Sequence, residues 1–269
     1  MKITFIGGGN MATALIGGMK KQGFSAVAIQ VVEPDDAARQ QLANAFGVRA
    51  AATADAAALA CDVLVLAVKP QQMKEAVTPL AGKLGNHLVI SIAAGLRVAD
   101  IARWLNHSKV VRAMPNTPAL IGCGMTGLYA DPSVDETGRV QAEKILAAVG
   151  ATLWVPDETQ IDAVTAISGS GPAYVFYFIE AIEAAARELG IEAAAARQLT
   201  VETFLGAARL AAQSNESITT LRERVTSKGG TTEAALQRFA AHRVAEAIQQ
   251  GVSAANARGQ ELGDQLGKD

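Results

Sequence analysis

The feature that most constrains the fold is a change of pattern near Pro156. Before it, short apolar runs alternate with helical segments, and one of these runs, Val63–Val68, reads VLVLAV without polar alternation. Such a run is typical of a strand buried on both faces of a sheet. After Pro156 the strand patterns stop and only helical periods remain. We therefore predict an α/β domain with a doubly wound parallel sheet over residues 1–157 and an all-helical domain over residues 158–269.

The chain begins with the pattern of a strand, a glycine turn and a helix. Ile3–Ile6 is followed at once by Gly-Gly-Gly-Asn-Met-Ala. In a dinucleotide-binding turn, Gly7 would make the tight bend and Gly9 would let a pyrophosphate approach the helix N-terminus. Ala12 takes the third small position, where helix and strand pack closely. The alternative is a purely structural turn in another kind of α/β domain.

The second predicted strand ends at Glu33. An acid at this position bonds the ribose 2′-OH of NAD and repels the additional phosphate of NADP. Glu33 therefore favours NADH over NADPH. In the alternative interpretation Glu33 points elsewhere, and Arg39 or Lys20 offers positive charge to a phosphate.

Three further polar or small-residue segments follow predicted strands, at the sheet edge where open α/β sheets bind ligands. Lys69 follows VLVLAV, Ala93 lies in SIAAG, and Asn116 lies in RAMPNTP. Small residues there leave room for a flat ring, Lys69 offers charge, and Asn116 can donate and accept hydrogen bonds. A solvated lysine and ordinary structural turns are the alternatives.

A second candidate site lies in the helical half, in the segment VTSKGGTTEAAL. Two glycines, Gly229 and Gly230, allow close backbone approach, and Ser227, Thr231 and Thr232 add hydroxyl donors. The free N–H groups of the helix that follows carry partial positive charge. This is the chemistry of a small-anion site, most simply for a carboxylate. The alternative is an N-capped helix after a flexible loop.

Composition excludes several classes of function. Net charge is −2 without a Lys/Arg cluster, so we expect neither nucleic acid nor membrane as a partner. Cys61 and Cys123 are isolated and no long apolar leader follows Met1, which together indicate the cytoplasm. The histidines make no cluster with ligand spacing, so we expect no metal site. Many Ala and Gly in the helical half suit an interlocked dimer and an ordinary bundle core equally well.

The segments FIGGGNMA, LAVKPQ, SIAAG, RAMPNTP, DAVTAISGSGPAYVF and VTSKGGTTEAAL, in this order, resemble the pyrroline-5-carboxylate reductase family. They span nearly the whole chain, and the last two are the most specific. The resemblance implies a Rossmann domain, an all-helical dimerisation domain, and homodimers that assemble into rings such as a pentamer of dimers. It also implies NAD(P)H-dependent reduction of Δ1-pyrroline-5-carboxylate to L-proline, the last step of proline biosynthesis.

Carried over by position, the resemblance assigns roles to single residues. The pyrophosphate side of the cofactor falls to Gly7, Gly9, Asn10, Met11 and Ala12, and the nicotinamide side to Val68, Lys69, Pro70 and Ala93. Glu33 and Asn116, which follow predicted strands at the ligand-binding edge of the sheet, complete the predicted cofactor-binding residues. The substrate, a small molecule with a carboxylate, falls to Ser227, Gly229, Gly230, Thr231 and Thr232, with Thr232 as the catalytic partner of the imine nitrogen.

The sequence departs from the family pattern at two positions. Lys228 stands where many relatives have proline, and Ala54 stands where many have an asparagine that contacts the adenosine end of the cofactor. Two rival functions are a β-hydroxyacid or 6-phosphogluconate type of dehydrogenase and a dinucleotide sensor. The dehydrogenase needs a catalytic lysine on the first long helix, and Ile161–Glu183 contains none. The intact SKGGTT loop argues against the sensor.

Overall fold

The computed structural model describes residues 1–268. They form two compact units, one made of residues 1–170 together with 255–268, and one made of Gly171–Ala254. The strands are β1 (Ile3–Ile6), β2 (Ile29–Val32), β3 (Arg49–Ala51), β4 (Val63–Leu66), β5 (Leu88–Ser91), β6 (Val110–Met114), β7 (Gly124–Ala130) and β8 (Gly150–Trp154).

Six helices precede the second unit: α1 (Asn10–Lys21), α2 (Asp36–Phe46), α3 (Met73–Val77), α4 (Val98–Leu105), α5 (Glu136–Leu146) and α6 (Gln160–Val164). A π-helical turn, Thr165–Gly169, closes this part of the chain. The remaining helices are α7 (Gly171–Glu188), α8 (Ala193–Gln213), α9 (Ile218–Arg224), α10 (Thr231–Ala241) and α11 (Val244–Leu266).

The strands make one sheet in the order β3-β2-β1-β4-β5-β6-β7-β8. Every neighbouring pair is parallel except β6 and β7, which are antiparallel. The prediction of a Rossmann domain with a doubly wound sheet and a helical second half is confirmed, with this one antiparallel pair as an addition. Only residues 115–123 connect β6 to β7, and a parallel crossover needs about a dozen residues or more.

Two apolar cores explain why the central strands lack polar alternation. On β4, Val63 and Val65 belong to the cluster on one face of the sheet, whereas Leu64 and Leu66 belong to the cluster on the other. All four are fully buried. Burial of such a side chain is worth about 1.5–3 kcal/mol relative to exposure. The strand that ends beside the candidate cofactor site is therefore among the most firmly held parts of the sheet.

The second unit has almost no core of its own. Of its residues, only Ala196 and Thr200 are buried. The 18-residue helix α7 is apolar over much of its surface and contains no buried residue. Phe176 and Tyr177 on this helix are 65% and 70% exposed. A helix that is apolar on several sides needs a partner surface to become stable in water.

Candidate active site

The glycine turn between β1 and α1 has the conformation that a dinucleotide site requires. Gly7 has φ +96°, and a Cβ there would lie 2.8 Å from the carbonyl oxygen of Ala67. A Cβ on Gly9 would meet no heavy atom within 4 Å, so the space beside Gly9 is open. Ala12 is buried in the core between helix and sheet, as the third small position demands.

The N-terminus of α1 offers free donors beside this space. The N-cap of α1 is Gly9, which has no side chain that could cap the helix. Within residues 1–268, the N–H groups of Asn10, Met11 and Ala12 have no hydrogen-bond partner, because the first helical bond runs from Thr13 N to Gly9 O. Free N–H groups at a helix start bind phosphate oxygens.

The carboxylate of Glu33 is hydrogen-bonded to the glycine turn. It accepts a hydrogen bond from Gly8 N at 2.8 Å through Oε2 and one from Asp35 N at 2.9 Å through Oε1. The neighbouring Arg39 donates to the carbonyl oxygens of Glu33 and Pro34 and pairs with Asp36. Arg39 is thus engaged by the loop itself, whereas the charge of Glu33 faces the space where a nucleotide ribose would lie in a site of this kind.

A cavity of about 750 Å³ lies at the carboxyl ends of β1, β2 and β4. This volume is in the range of small-molecule and cofactor sites. Five of the predicted cofactor residues line it: Gly7, Gly9, Glu33, Val68 and Lys69. Sequence reasoning missed Gln72, Glu75, Pro79 and Lys83, which also line the cavity, because their helical segments carry no motif. The open glycine cradle, the free N–H donors and the cavity together fit a dinucleotide.

The other predicted cofactor residues lie outside the lining of this cavity. Met11 is partly buried and packs against the core, and Pro70 begins a 3-10 turn after β4. Ala93 is 5% exposed in the loop that follows β5. Asn10 is exposed at the first position of α1. Their predicted contacts with a cofactor stay predictions.

Asn116 has structural partners. Its amide nitrogen donates to the backbone and side-chain oxygens of Ser168, both at 3.2 Å, and its amide oxygen accepts from Met125 N at 2.9 Å. The side chain therefore connects the loop after β6 to β7 and to the π-helical turn. Its contact with a cofactor stays a prediction.

Arg112, four residues before Asn116, is the centre of a buried ionic network. Arg112 on β6 is 2% exposed and donates to Asp162 at 2.6 Å and to Glu158 at 3.3 Å. Oε1 of Glu158 also accepts from Val98 N, at the start of α4. Sequence reasoning missed this network, since its members are far apart in the chain. It fixes the end of β6 to α6 and α4.

The second candidate site is the loop between α9 and α10. Gly229 has φ +73°, and its N–H donates to Glu233 Oε2 at 2.7 Å. Gly230 is the N-cap of α10, and its N–H donates to the carbonyl oxygen of Ser227 at 3.0 Å. A Cβ on Gly230 would lie 2.8 Å from Ser227 Oγ. The two glycines therefore set the shape of this loop.

The free groups of this loop are those that a carboxylate needs. In the described part of the chain, the N–H groups of Thr231, Thr232 and Glu233 have no partner, since the first helical bond runs from Ala234 N to Gly230 O. The hydroxyls of Thr231 and Thr232 are likewise without a hydrogen-bond partner among residues 1–268. The loop presents a set of donors at a helix start, with the carboxylate of Glu233 turned back to Gly229.

Residues 1–268 lack two kinds of feature. No group of three or more His, Cys, Asp or Glu side chains is placed to hold a metal ion. None of the helices in this range combines the length and the apolar character needed to cross a bilayer.

Comparison with known families divides the chain into two matched parts. Residues 158–262 match the model of the family described as pyrroline-5-carboxylate reductase dimerisation. Residues 2–95 match that of the family described as NADP oxidoreductase, coenzyme F420-dependent. The first match covers α6 to α10 and most of α11, and the second covers the glycine turn and the cavity.

Individual relatives cover almost the entire chain. The chain is 45% identical to pyrroline-5-carboxylate reductase of Pseudomonas aeruginosa, over 99% of this chain and 98% of that protein. It is 44% identical to the enzyme of the same name from Haemophilus influenzae, over 97% of each.

Two solved structures are also similar to this chain over nearly its whole length. A pyrroline-5-carboxylate reductase from Coxiella burnetii matches with a TM-score of 0.92 and 41% identity, over 97% of this chain and 98% of that one. The Plasmodium falciparum pyrroline carboxylate reductase, solved with NADP bound, matches with a TM-score of 0.87 and 26% identity over 98% of each chain. The chain therefore belongs to the pyrroline-5-carboxylate reductase family.

Proposed function

We propose that this chain reduces Δ1-pyrroline-5-carboxylate to L-proline with NAD(P)H, the last step of proline biosynthesis. The observation that carries the proposal is the 45% identity over 99% of the chain. The matched range includes both the glycine turn beside the cofactor cavity and the loop between α9 and α10.

The chain's own residues account for what such a reaction needs. The N–H groups of Asn10, Met11 and Ala12 bind the pyrophosphate, and those of Thr231 and Thr232 bind the substrate carboxylate. The cavity beside Gly9 and Lys69 would hold the reduced cofactor, whose nicotinamide would supply the hydride for the imine carbon. Thr232 Oγ1 hydrogen-bonds the ring nitrogen, which carries the proton in the product. No metal or strong base is required, because a protonated imine is already a good electrophile and catalysis is chiefly positioning.

NADH is the preferred cofactor in this proposal. The carboxylate of Glu33 lines the cavity and is held in place by two backbone N–H groups. A fixed negative charge at this point repels a 2′-phosphate. Arg39, which could have balanced that charge, is engaged by Asp36 and two carbonyl oxygens.

The proposed working form is a homodimer that assembles into a ring such as a pentamer of dimers. The exposed apolar surface of α7 supports the dimer, because isolated chains would leave it in water. We assign cofactor binding to residues 1–157 and dimerisation with substrate binding to residues 158–269. The free cysteines Cys61 and Cys123 support a location in the reducing cytoplasm.

The test is an assay on purified protein that follows loss of reduced nicotinamide with Δ1-pyrroline-5-carboxylate as substrate. We expect oxidation of NADH with formation of proline, and slower oxidation of NADPH. Absence of oxidation with both cofactors, in a protein shown to be folded and dimeric, would overturn the proposal. Hydroxyacid substrates would then be tested next.

A Gly9→Val variant tests the cofactor cradle separately. The open space beside Gly9 accepts a side chain without a clash, so the protein should fold, yet the side chain would occupy the place of the pyrophosphate. We expect loss of NADH binding. The matched control is Gly85→Val, at another glycine whose Cβ would meet nothing within 4 Å. Normal NADH affinity in the Gly9→Val protein would remove this turn from the site.

A further inference from the structure

The last turns of α11 carry glycines at every fourth position and belong to the unit that contains the sheet. Gly259, Gly263 and Gly267 share one side of this segment. Gly259 and Gly263 are buried. Residues four apart lie on the same face of a helix. Gly263 and Gly267, the latter one residue past the end of α11, face the segment Gly95–Arg103, which follows β5 and contains most of α4, whereas Gly259 faces Asp162 of α6.

At Gly263 the two backbones approach too closely for any side chain. A Cβ on Gly263 would lie 2.9 Å from the carbonyl oxygen of Gly95. Gly95 itself has φ +79°, and a Cβ there would lie 3.4 Å from that of Leu262. Gly259, one turn earlier, differs: its Cβ would be in ordinary contact, 3.8 Å from that of Asp162. The helix therefore abuts the loop backbone at Gly263 and leaves room for a methyl group at Gly259.

Polar and apolar contacts hold the helix end in this place. Asp264 forms an ion pair with Arg97. Arg103 donates to the carbonyl oxygen of Gly267 at 2.8 Å. Leu266 packs against the apolar cluster on that face of the sheet. Arg97 and Arg103 thus anchor both ends of the Gly95–Arg103 segment to the end of α11. This segment cannot move away from Gly263 without breaking these two contacts.

The loop that Gly263 touches is the one that carries Ala93. Ala93 lies two residues before Gly95, is 5% exposed, and is the second residue after the buried strand β5. We propose that Gly263 of α11 is a positioning element that fixes the Ala93–Gly95 backbone, which would line the nicotinamide side of a bound cofactor. This inference rests on the proposed function and on the family resemblance, which implies that Ala93 lines the nicotinamide side of the cofactor.

The test compares three Gly→Ala variants of the same helix. Gly263→Ala forces the Gly95 carbonyl to shift, Gly259→Ala accommodates the methyl group, and Gly251→Ala adds it where nothing lies within 4 Å. The gain in helix propensity is common to all three. Dissociation constants are measured for NADH and for ADP-ribose, which lacks the nicotinamide. We expect Gly263→Ala to weaken NADH about tenfold and to leave ADP-ribose unchanged, since displacement of a positioning group by a fraction of an ångström has effects of this size.

A milder pair of variants keeps the test valid if Gly263→Ala does not fold. Asp264→Asn removes the ion pair with Arg97, and its control, Glu261→Gln, removes the pair between Glu261 and Arg258 on the same helix. We expect only Asp264→Asn to weaken NADH relative to ADP-ribose. Equal losses for both ligands, or identical behaviour of variant and control, would overturn the inference. A wild-type protein that binds no NADH and reduces no imine would instead overturn the proposed function.

Discussion

Nη2 of Arg112 donates a hydrogen bond to Oδ1 of Asp162 over 2.6 Å, in the interior beneath the end of β6. The second carboxylate of the network, that of Glu158, is 23% exposed and is therefore better solvated. A buried guanidinium left without a carboxylate keeps its charge and loses its compensation. The strength of the network thus depends mainly on Asp162.

Asp162→Ala should lower the free energy of unfolding by about 3 kcal/mol, because it leaves the buried Arg112 with only the longer, 3.3 Å bond to Glu158. Glu158→Gln should cost about 1 kcal/mol, since the amide oxygen can still accept from Val98 N. Urea unfolding of both variants at one fixed protein concentration checks the difference. Equal losses would show that Glu158 and Asp162 share the charge evenly.

Thr232→Ala should lower kcat by about tenfold to a hundredfold, the usual worth of a hydrogen bond to a charged reacting group. The side chain has no hydrogen-bond partner among residues 1–268, so stability should not change. Steady-state kinetics and thermal unfolding check both statements. Thr232→Ser, which keeps the hydroxyl, is the control and should retain most activity. Wild-type kinetics in the alanine variant would remove Thr232 from the mechanism.

Glu33→Gln should lower the preference for NADH over NADPH by about tenfold, because the charge that repels a 2′-phosphate is gone. Affinity for both cofactors should also fall. One amide oxygen replaces two carboxylate oxygens, and Gly8 N or Asp35 N loses its acceptor. The ratio of kcat/KM for the two cofactors is the measurement. Glu136→Gln, at an exposed acid in the first turn of α5, is the control. An unchanged ratio would refute the assignment.

Phe176→Asp should weaken the dimer, since a charge on the exposed apolar surface of α7 opposes burial in an interface. We expect the dissociation constant to rise about thirtyfold, equivalent to about 2 kcal/mol. Light scattering across a dilution series measures it. Val27→Asp places the same charge at an exposed apolar residue of the other unit and should have no effect. A variant that stays dimeric at every concentration would place the interface elsewhere.

Cys123 should react with a thiol reagent before Cys61. Cys123 is exposed, whereas burial raises the pKa of the Cys61 thiol, and the nearby charge of Asp62 acts in the same direction. A raised pKa leaves less thiolate at neutral pH, and the thiolate is the reactive form. We expect rates that differ by about tenfold or more, with only the slow phase left in Cys123→Ser. A single fast phase for both thiols would contradict this order.

The central strands could be predicted because burial on both faces leaves a continuous apolar run, as in Val63–Leu66. Two strands could not. The segment Arg49–Ala51 is short and lies at the edge of the sheet, and Gly124–Ala130 contains two glycines that weaken a strand pattern. The glycines are required by packing: a Cβ on Gly124 would lie 2.9 Å from the carbonyl oxygen of Val149, and one on Gly127 would lie 2.6 Å from Val164. Such contacts between distant segments are invisible in one sequence.

The candidate site likewise has features that the sequence predicts and contacts that only the folded chain creates. The glycine turn has a local geometry that the sequence alone dictates, and the structure has it. The bonds of Glu33 to Gly8 and of Asn116 to Ser168 join segments that only the folded chain brings together. Side-chain chemistry could therefore name these residues, whereas the partners that determine their roles depend on the tertiary structure.

The return of residues 255–268 to the first unit has a consequence for protein synthesis. The ribosome makes the central strands β1, β2 and β4 early, so the middle of the sheet can form while the rest of the chain is still being translated. The contact between Gly263 and Gly95 can form only after residues 255–268 have been translated. Nascent chains and chains truncated near Ala254 would share a cofactor domain whose Gly95–Arg103 surface is still uncovered.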